Sequence, residues 1–481
     1  MATSIIEQKP RHTTLPVEQD IIFTISNNAI VATELKVKFI AEVYISSELP
    51  TNITPTTVSV GTFKTTPNNA GVGMFDFRSI VESYVRADNM AANDSAYKET
   101  TTTDNTTHPL HLIDKYSSNT NSFRYLNIEF SVEYLGADAT EPNLVSVAAG
   151  SEKLSTTYQL FNGYLKHSNI LDLQGVNFGY NLRDFTLNSS TRSFLTNAPA
   201  TQYANIEDYG TVGILMLNSV TNIEVVPLAP NDGFMMIRFD YYEEDGSLID
   251  YETIRLDTST TGGFPYANRD FAKNKLNFAG VYPANLRGWS TKFNSNIADI
   301  AYYTFVAQTG TISTATDISQ NYRININCPT LKGFEPIRLT WLNQWGAWDY
   351  YTFNMKSIRK ISTRGSTYNQ LGGTWNESAY RINSFKGGKK SFRVNATENI
   401  TVNTDFVSES EGEWFEELIN SPEVYILQGF QTDITDSALN QYVTPVRLTT
   451  SSYTRKTVAN DRLMQYTFEV EKSKTLRTQS V

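Results

Sequence analysis

The histidines are the first residues to consider for chemistry, because two of them have a spacing that could bind a metal ion. The sequence has four of them, and His108 and His111 stand three positions apart, which suits two metal ligands. Such a pair needs a helix to align both rings, or a third ligand to complete the site, and Pro109 opposes a helix. We therefore predict a loop with two solvated histidines and no metal site.

The sequence also lacks the cysteine pairs and the motifs that are typical of catalytic or cofactor-binding sites. Cys328 is the one cysteine, so a disulfide within the chain and a cysteine metal cluster are both excluded. The sequence contains no Gly-x-Ser-x-Gly turn, no glycine-rich phosphate loop ending in Lys-Ser/Thr and no Gly-x-Gly-x-x-Gly after a strand. These patterns predict no cofactor and no catalytic residues.

Carboxylates could still serve a glycosidase, which needs two acids across a sugar cleft. Residues 243–245 fall in a predicted hairpin turn, and the glutamates between 409 and 417 fall on the start and exposed side of a predicted helix. In both groups, we interpret the acidic residues as charged side chains exposed to solvent and not as catalytic acids. Asp349 lies among tryptophans, but the sequence assigns it no second acid. We expect the protein not to be an enzyme, and a glycan-degrading enzyme is kept only as a third hypothesis.

The composition favours a large β protein. The chain has 481 residues with 27 Tyr and 26 Phe, which suit a pleated, half-buried surface. A net charge of −10 argues against direct nucleic-acid binding, and the short basic run at 386–390 is interpreted as a solvated turn. No apolar run has the length of a signal peptide or membrane helix, so we expect cytosolic synthesis and no membrane span.

Alternating apolar positions predict short strands in three β domains, over residues 1–160, 161–320 and 321–481. The fold class is mainly β, with antiparallel sandwiches or barrels and one or two short helices. A helix is predicted at 79–85, and another near 409–420, where Ser408 and Glu411 have the spacing of a capping box. Turn residues predict one hairpin at Asn27-Asn28 and another around Gly246, and polar loops at 90–107 and 137–156.

The stretch WLNQWGAWDYY, which begins at Trp341, predicts a tight hairpin. With Trp341 opposite Trp348, both share one buried face with Tyr350, and a loop of two or of four residues gives this same pairing. Trp345 then stands exposed at the turn, and Asp349 lies on the polar face. Trp345 and Asp349 are the candidate partner contacts, and a second subunit is preferred over a sugar as the partner.

Three stretches carry a resemblance to a known family. They are IRLTWLNQWGAWDYYTFNMKSIRKIS at 337–362, MFDFRSIVESYV at 74–85 and QYTFEVEKSKTLRTQ at 465–479. Together they resemble virion structural proteins of tailed bacteriophages, of the tail, neck or hub type and marine or Bacteroidetes-phage-like. The resemblance implies oligomeric rings of β domains and no catalytic residues to carry over.

These observations lead to a leading hypothesis and an alternative, which rank above the glycan-degrading enzyme. The leading one is a structural virion component, a tail or tail-hub protein that is synthesised in the host cytoplasm and located in the virion tail. It would form a homo-oligomeric ring with copies of itself and contact other tail or neck proteins. The alternative is a receptor- or carbohydrate-binding virion protein, in which Trp345, Trp375 and the Asn/Thr-rich loops contact a host surface glycan.

Overall fold

The computed structural model describes most of the chain in separate segments. These are residues 5–10, 14–46, 59–85, 116–119, 123–135, 143–145, 157–166, 187, 189–214, 218–221, 224–226, 235–255, 276–310, 314–327, 333–374, 377–427, 443–450, 452–454, 464–474 and 476–477. Some sequence predictions lie outside the described residues. They concern the loop at 90–107, the loop at 137–156 apart from 143–145, the four histidines, Cys328 and Trp375.

The chain forms two compact units, and each is described by itself. The first comprises Met1–Ala204, Asp208–Ile326 and Leu342–Asp349; the second comprises Asn205–Glu207, Asn327–Trp341 and Tyr350–Val481. Strands dominate the described residues, in antiparallel and mixed sheets, so the predicted fold class of a multi-domain β-sandwich protein is confirmed. The three-domain division stays a prediction.

Two sheets that pack face to face open the first unit. Their elements and those between them are β1 (Ile5–Gln8), β2 (Thr14–Pro16), β3 (Ile22–Ser26), α1 (Asn28–Thr33), β4 (Leu35–Ser46), β5 (Ser59–Thr65), β6 (Val72–Asp76), α2 (Arg78–Val81), β7 (Tyr116–Asn119), β8 (Phe123–Leu135), β9 (Asn143–Val145) and β10 (Tyr158–Phe161). One sheet has the order β1-β3-β6, and the other β2-β10-β8-β4-β5 with β9 beside β8. Phe23 and Phe75 of the first sheet contact Phe130 of the second, with ring centroids 5.9 and 5.8 Å apart. Alternating side chains of the facing strands therefore share one core.

The predicted hairpin at Asn27-Asn28 is wrong. Strand β3 pairs with β1 and β6 and not with β4, because Asn27 caps helix α1 by accepting a hydrogen bond from the Ile30 N–H at 3.3 Å. Asparagine favours both turns and helix N-caps, so the local signal fits either structure. The helix predicted at 79–85 is present as the shorter α2, and Val81 is fully buried.

The chain continues through three more sheets. The elements are β11 (Thr201–Asn205), β12 (Thr211–Ile214), β13 (Asn218–Thr221), β14 (Glu224–Val226), β15 (Met235–Tyr242), β16 (Leu248–Arg255), β17 (Leu276–Gly280), α3 (Pro283–Trp289), α4 (Thr291–Asn296), β18 (Tyr302–Thr309), β19 (Thr316–Asp317) and β20 (Tyr322–Asn327). The sheet orders are β11-β20-β18-β15-β16 with β19 beside β18, β12-β17-β7, and β13-β14. The hairpin predicted around Gly246 is confirmed as β15 and β16, and Gly246 has a φ of +90°.

Helices α3 and α4 were not predicted. Pro283 stands at the start of α3, and the Ser290 hydroxyl accepts a hydrogen bond from the Phe293 N–H at 2.9 Å to cap α4. The Phe293 ring packs edge-on against Tyr241, 5.5 Å away. The hydroxyls of Tyr241 and Ser290 both donate to the Glu252 carboxylate. Burial is the main cause that raises the pKa of Tyr241, and the negative charge of Glu252 is the second. This tyrosine therefore remains protonated and acts as a hydrogen-bond donor.

One sheet and one helix make up most of the second unit. The elements are β21 (Ile337–Leu342), β22 (Trp348–Phe353), β23 (Ile358–Gln370), β24 (Gly388–Asn403), α5 (Glu409–Asn420), β25 (Val424–Leu427), β26 (Val443–Leu448), β27 (Thr467–Lys472) and β28 (Leu476–Arg477). The end of β21 and the start of β22, within Leu342–Asp349, are counted with the first unit. The sheet order is β22-β21-β25-β26-β27-β24-β23, with β28 beside β24. The helix predicted near 409–420 is confirmed as α5, with the capping box of Ser408 and Glu411 formed.

We expect Ser408→Ala to lower the free energy of unfolding of the second unit by about 1 kcal/mol, because the first turn of α5 loses its cap. Denaturant unfolding followed by tryptophan fluorescence would measure this, since Trp414 lies in the same helix. Ser408→Asp retains a capping oxygen and serves as the matched control. An Ala variant as stable as the wild type would contradict the assignment.

Candidate functional site

The tip of the β21–β22 hairpin is the first candidate site, because it carries Trp345 and Asp349. The N–H of Asn343 donates to the Ala347 carbonyl at 2.8 Å, and the N–H of Gly346 donates to the Asn343 carbonyl at 3.1 Å. Gly346 has a φ of +75°. This geometry is a three-residue loop, a turn followed by a glycine bulge.

An odd number of loop residues reverses the face of every side chain on one strand relative to the prediction. The rings of Trp341, Tyr351 and Phe353 all contact Phe415 of α5, with centroids 6.4, 4.9 and 6.2 Å away. The Arg338 guanidinium donates to the Thr352 hydroxyl at 2.8 Å. The prediction that Trp341 opposes Trp348 and shares its face with Tyr350 is therefore wrong by one residue.

The predicted exposure of Trp345 is also wrong. Trp345 is 6% exposed and Asp349 is 3% exposed. The Asp349 carboxylate accepts hydrogen bonds from the Thr196 hydroxyl at 2.7 Å and from the Asn343 amide at 3.1 Å. Burial with these partners is how proteins accommodate a carboxylate inside the fold. In this chain both residues are enclosed, and a partner-contact role for them stays a prediction.

Asn343 uses its whole side chain to hold the tip. The amide donates to the Leu195 carbonyl at 2.8 Å as well as to Asp349, and the side-chain oxygen accepts from the N–H groups of Trp345 and Ala347, both at 3.0 Å. The next residue, Gln344, accepts from the Tyr164 N–H at 3.2 Å. This network has the properties of a structural anchor, since its donors and acceptors are used within the chain.

The other two carboxylate groups considered in the sequence lie on a turn and on a helix. Residues 243–245 lie exposed in the β15–β16 turn, as predicted. Glu417 was predicted on the exposed side of the helix but is 1% exposed, so that prediction is wrong. Among the described residues, no three His, Cys, Asp or Glu side chains are grouped to hold a metal ion. Within the same part of the chain, no helix has the length and apolar character needed to cross a bilayer.

A second candidate site is a long hairpin that the sequence reading missed. We call residues 358–395 the arm: strand β23, the tip that follows it and the first half of β24. β23 and β24 pair antiparallel from Ile358 opposite Thr401 to Gln370 opposite Gly388. In the described chain, β27 pairs with β24 only at residues 399–403 and β28 only at Asn395 and Ala396. The outer part of the arm is therefore a ribbon of two strands.

Apolar side chains project from this ribbon into solvent. Ile382 is 81% exposed and Phe385 is 73% exposed. The other large apolar residues of the arm that are exposed are Ile358, Ile361, Leu371, Tyr380 and Phe392. An isolated two-stranded hairpin is marginally stable in water, and exposed apolar patches of this kind mark interaction surfaces. The arm therefore has the character of a docking element.

The arm tip is folded although it lacks a core. The Thr374 N–H donates to the Arg381 carbonyl at 3.1 Å, and the Asn383 N–H donates to the Gly372 carbonyl at 3.1 Å. The basic run at 386–390 was predicted as a solvated turn. Lys386 and Gly387 close this tip, whereas Gly388, Lys389 and Lys390 already belong to β24, so a turn is confirmed only for the first two residues of the run. Lys386 and Lys389 are exposed.

The arm is also strongly basic. Eight Lys or Arg and a single acid, Glu377, lie between residues 358 and 395. Arg359 at the base of the arm pairs with Glu335 and Glu398. Among the described residues, the other seven cations form no ion pair: Lys360, Arg364, Arg381, Lys386, Lys389, Lys390 and Arg393. Their charge is available to an external partner.

Comparisons with known proteins give no assignment. No protein family matches the chain, and no curated protein matches it. Among solved structures, the chain is similar at 9% identity to one titled "Biofilm associated protein - BSP domain", covering 79% of this chain and 60% of that one, with a TM-score of 0.13. A similarity at this level carries no argument about fold or function. The chain spans less than two thirds of that structure's length.

We expect Gly346→Ala to destabilise the protein by about 2–4 kcal/mol, because the new methyl group meets the Asn162 carbonyl and the backbone has a positive φ. Gly333→Ala is the matched control, since Gly333 has a φ of +66° and nothing within 4 Å of the added carbon. That variant should lose only about 1–2 kcal/mol. Denaturant unfolding of both variants gives the comparison, and equal losses would show that the tip is not tightly packed.

Proposed function

We propose that this chain is a structural subunit of a tailed-bacteriophage virion, a tail or tail-hub protein that assembles as a homo-oligomeric ring. The arm is the observation that carries the proposal. It exposes apolar side chains on a ribbon of two strands, and a monomer gains no stability from that arrangement. Burial of the same side chains against another subunit would remove apolar area from water at about 25 cal/mol per Å².

The resemblance to virion structural proteins supports the same function. Its three stretches correspond to β21, β22 and the start of β23; to the end of β6 with α2; and to the C-terminal strands β27 and β28. The first of these stretches forms the base from which the arm extends. Fold and resemblance are compatible with a β-rich subunit whose role is contact with other subunits, and we propose no catalytic activity for it.

The carbohydrate-binding alternative has less support in the structure than in the sequence. It rested on an exposed Trp345, and that side chain is buried. Sugar recognition by stacking needs an accessible aromatic face. Trp375, the other tryptophan named for this role, lies outside the described residues. Because Trp345 offers no accessible face, we retain the structural role alone.

We expect the purified protein to form a closed ring, visible by negative-stain electron microscopy and countable by native mass spectrometry. Antibodies against the chain should label the tail of intact virions, because the proposal places the protein there. Sedimentation separates virions from free protein in the same lysate, and the free fraction is the control for unbound protein that contaminates the virions. A chain that stays monomeric at high concentration and is absent from sedimented virions would overturn the proposal.

A further inference from the structure

Charge is segregated along the second unit. Residues 358–393 carry eight Lys or Arg and one acid, whereas residues 394–446 carry ten Asp or Glu and no Lys or Arg. The whole chain has a net charge of −10, so the basic segment is the exception. The arm is therefore basic, and the segment that follows it in the sequence is acidic.

The acidic surface is centred on helix α5. Glu409, Glu413 and Glu416 are spaced at i, i+4 and i+7, which places them in one stripe along the helix. The opposite side of α5 buries Trp414 and Phe415 in the core of the unit. The stripe is about 10 Å long from the helical rise of about 1.5 Å per residue.

An exposed apolar side chain precedes the acidic stripe in the sequence. Phe406, just before the helix, is 56% exposed. Among the described residues, Glu409 and Glu416 take part in no ion pair. The stripe and Phe406 therefore offer an acidic and apolar counterpart of the arm tip, where the Lys386 ammonium lies over the Phe385 ring and Lys390 donates to the Phe385 carbonyl.

We propose that the arm of one copy docks on the acidic stripe of α5 in a second copy. Arm residues such as Ile382 and Phe385 would bury apolar area, and the lysines beside them would set the orientation against Glu409, Glu413 and Glu416. The inference rests on the proposed function, because it names the partner of the surface that carries that proposal.

A second copy fits the arm better than a nucleic acid does. The exposed side chains of the arm include aromatic residues, but also Ile361, Leu371 and Ile382. These aliphatic side chains gain by burial against protein, whereas single-stranded nucleic acids are bound by aromatic stacking. The net charge of −10 on the whole chain also opposes the approach of a phosphate backbone. The complementary charge is already present on α5 of the same sequence.

Docking of an arm on a different surface of the next copy is a heterologous contact. Such contacts use two unlike patches on each subunit, and they build a ring when the rotation between neighbours closes. A ring is the assembly that the proposed function requires. The arm and the α5 stripe would then each be used once per subunit.

The test reverses the charge on each surface. The arm variant carries Lys386→Glu, Lys389→Glu and Lys390→Glu, and the stripe variant carries Glu409→Lys, Glu413→Lys and Glu416→Lys. We expect each variant alone to weaken self-association by at least about tenfold, because like charges then face each other. The two variants mixed together should associate with each other, because the opposite charges are restored in trans. Sedimentation velocity over a concentration series measures both.

The matched control is Glu243→Lys, Glu244→Lys and Asp245→Lys, which makes the same charge change at the exposed β15–β16 turn. Self-association of this variant should equal that of the wild type. Circular dichroism of all variants checks folding, and recovery in the mixture shows that both reversed chains are folded at the interface.

Three outcomes would overturn the inference. Unchanged self-association of both reversal variants would reject the arm–α5 contact while leaving a ring-forming structural protein intact. A monomeric wild type would reject both the contact and the ring. Binding of random-sequence duplex DNA that the arm reversal abolishes, with self-association unaffected, would identify the arm as a nucleic-acid surface instead.

Discussion

The hydrogen bonds of Asn343 are the constraint on which the C-terminal architecture depends. By accepting from two backbone N–H groups of its own loop, Asn343 fixes a loop of three residues between β21 and β22. The loop length decides which side chains of each strand share a face. Trp341, Tyr351 and Phe353 consequently meet Phe415 of α5 and form the aromatic core of the second unit. A loop with one residue more or fewer would turn Trp348, Tyr350 and Thr352 toward that helix in place of Tyr351 and Phe353.

Much of the fold could be predicted from the sequence, because local alternation and capping signals determine it. The burial of Leu126, Ile128 and Phe130 on one face of β8 follows from alternation. Helix α5 follows from Ser408 and Glu411, whose spacing has a specific hydrogen-bonding purpose. Weaker signals of the same kind, Pro283 and Ser290, were present for α3 and α4, but the helices are short and apolar periodicity cannot be recognised over so few residues.

The candidate site was less predictable, because burial there depends on tertiary packing. Asn343 and Gly346 have the spacing of a turn followed by a glycine bulge, the signal in WLNQWGAWDYY that could have indicated a loop of three residues. The burial of Trp345 has no such local signal. The arm could not be predicted from the sequence for a related reason. Strand β23 is mostly polar, and its sequence does not show that the two faces of the arm are left uncovered in the described residues, where Ile361 and Ile382 are exposed. The sequence signals that could have found it are the Gly-Gly pairs at 372–373 and 387–388 and the concentration of cations between them and around them.

The position of β23 at the edge of its sheet has a consequence for aggregation. An edge strand with free backbone groups can add another strand, and identical chains can then stack without limit into fibrils. Lys360 and Arg364 lie along this edge strand, so two arms placed side by side would bring like charges together. The same cations that make the arm attractive to an acidic surface therefore act as gatekeepers, which keep arms of different molecules apart while they are still unassembled.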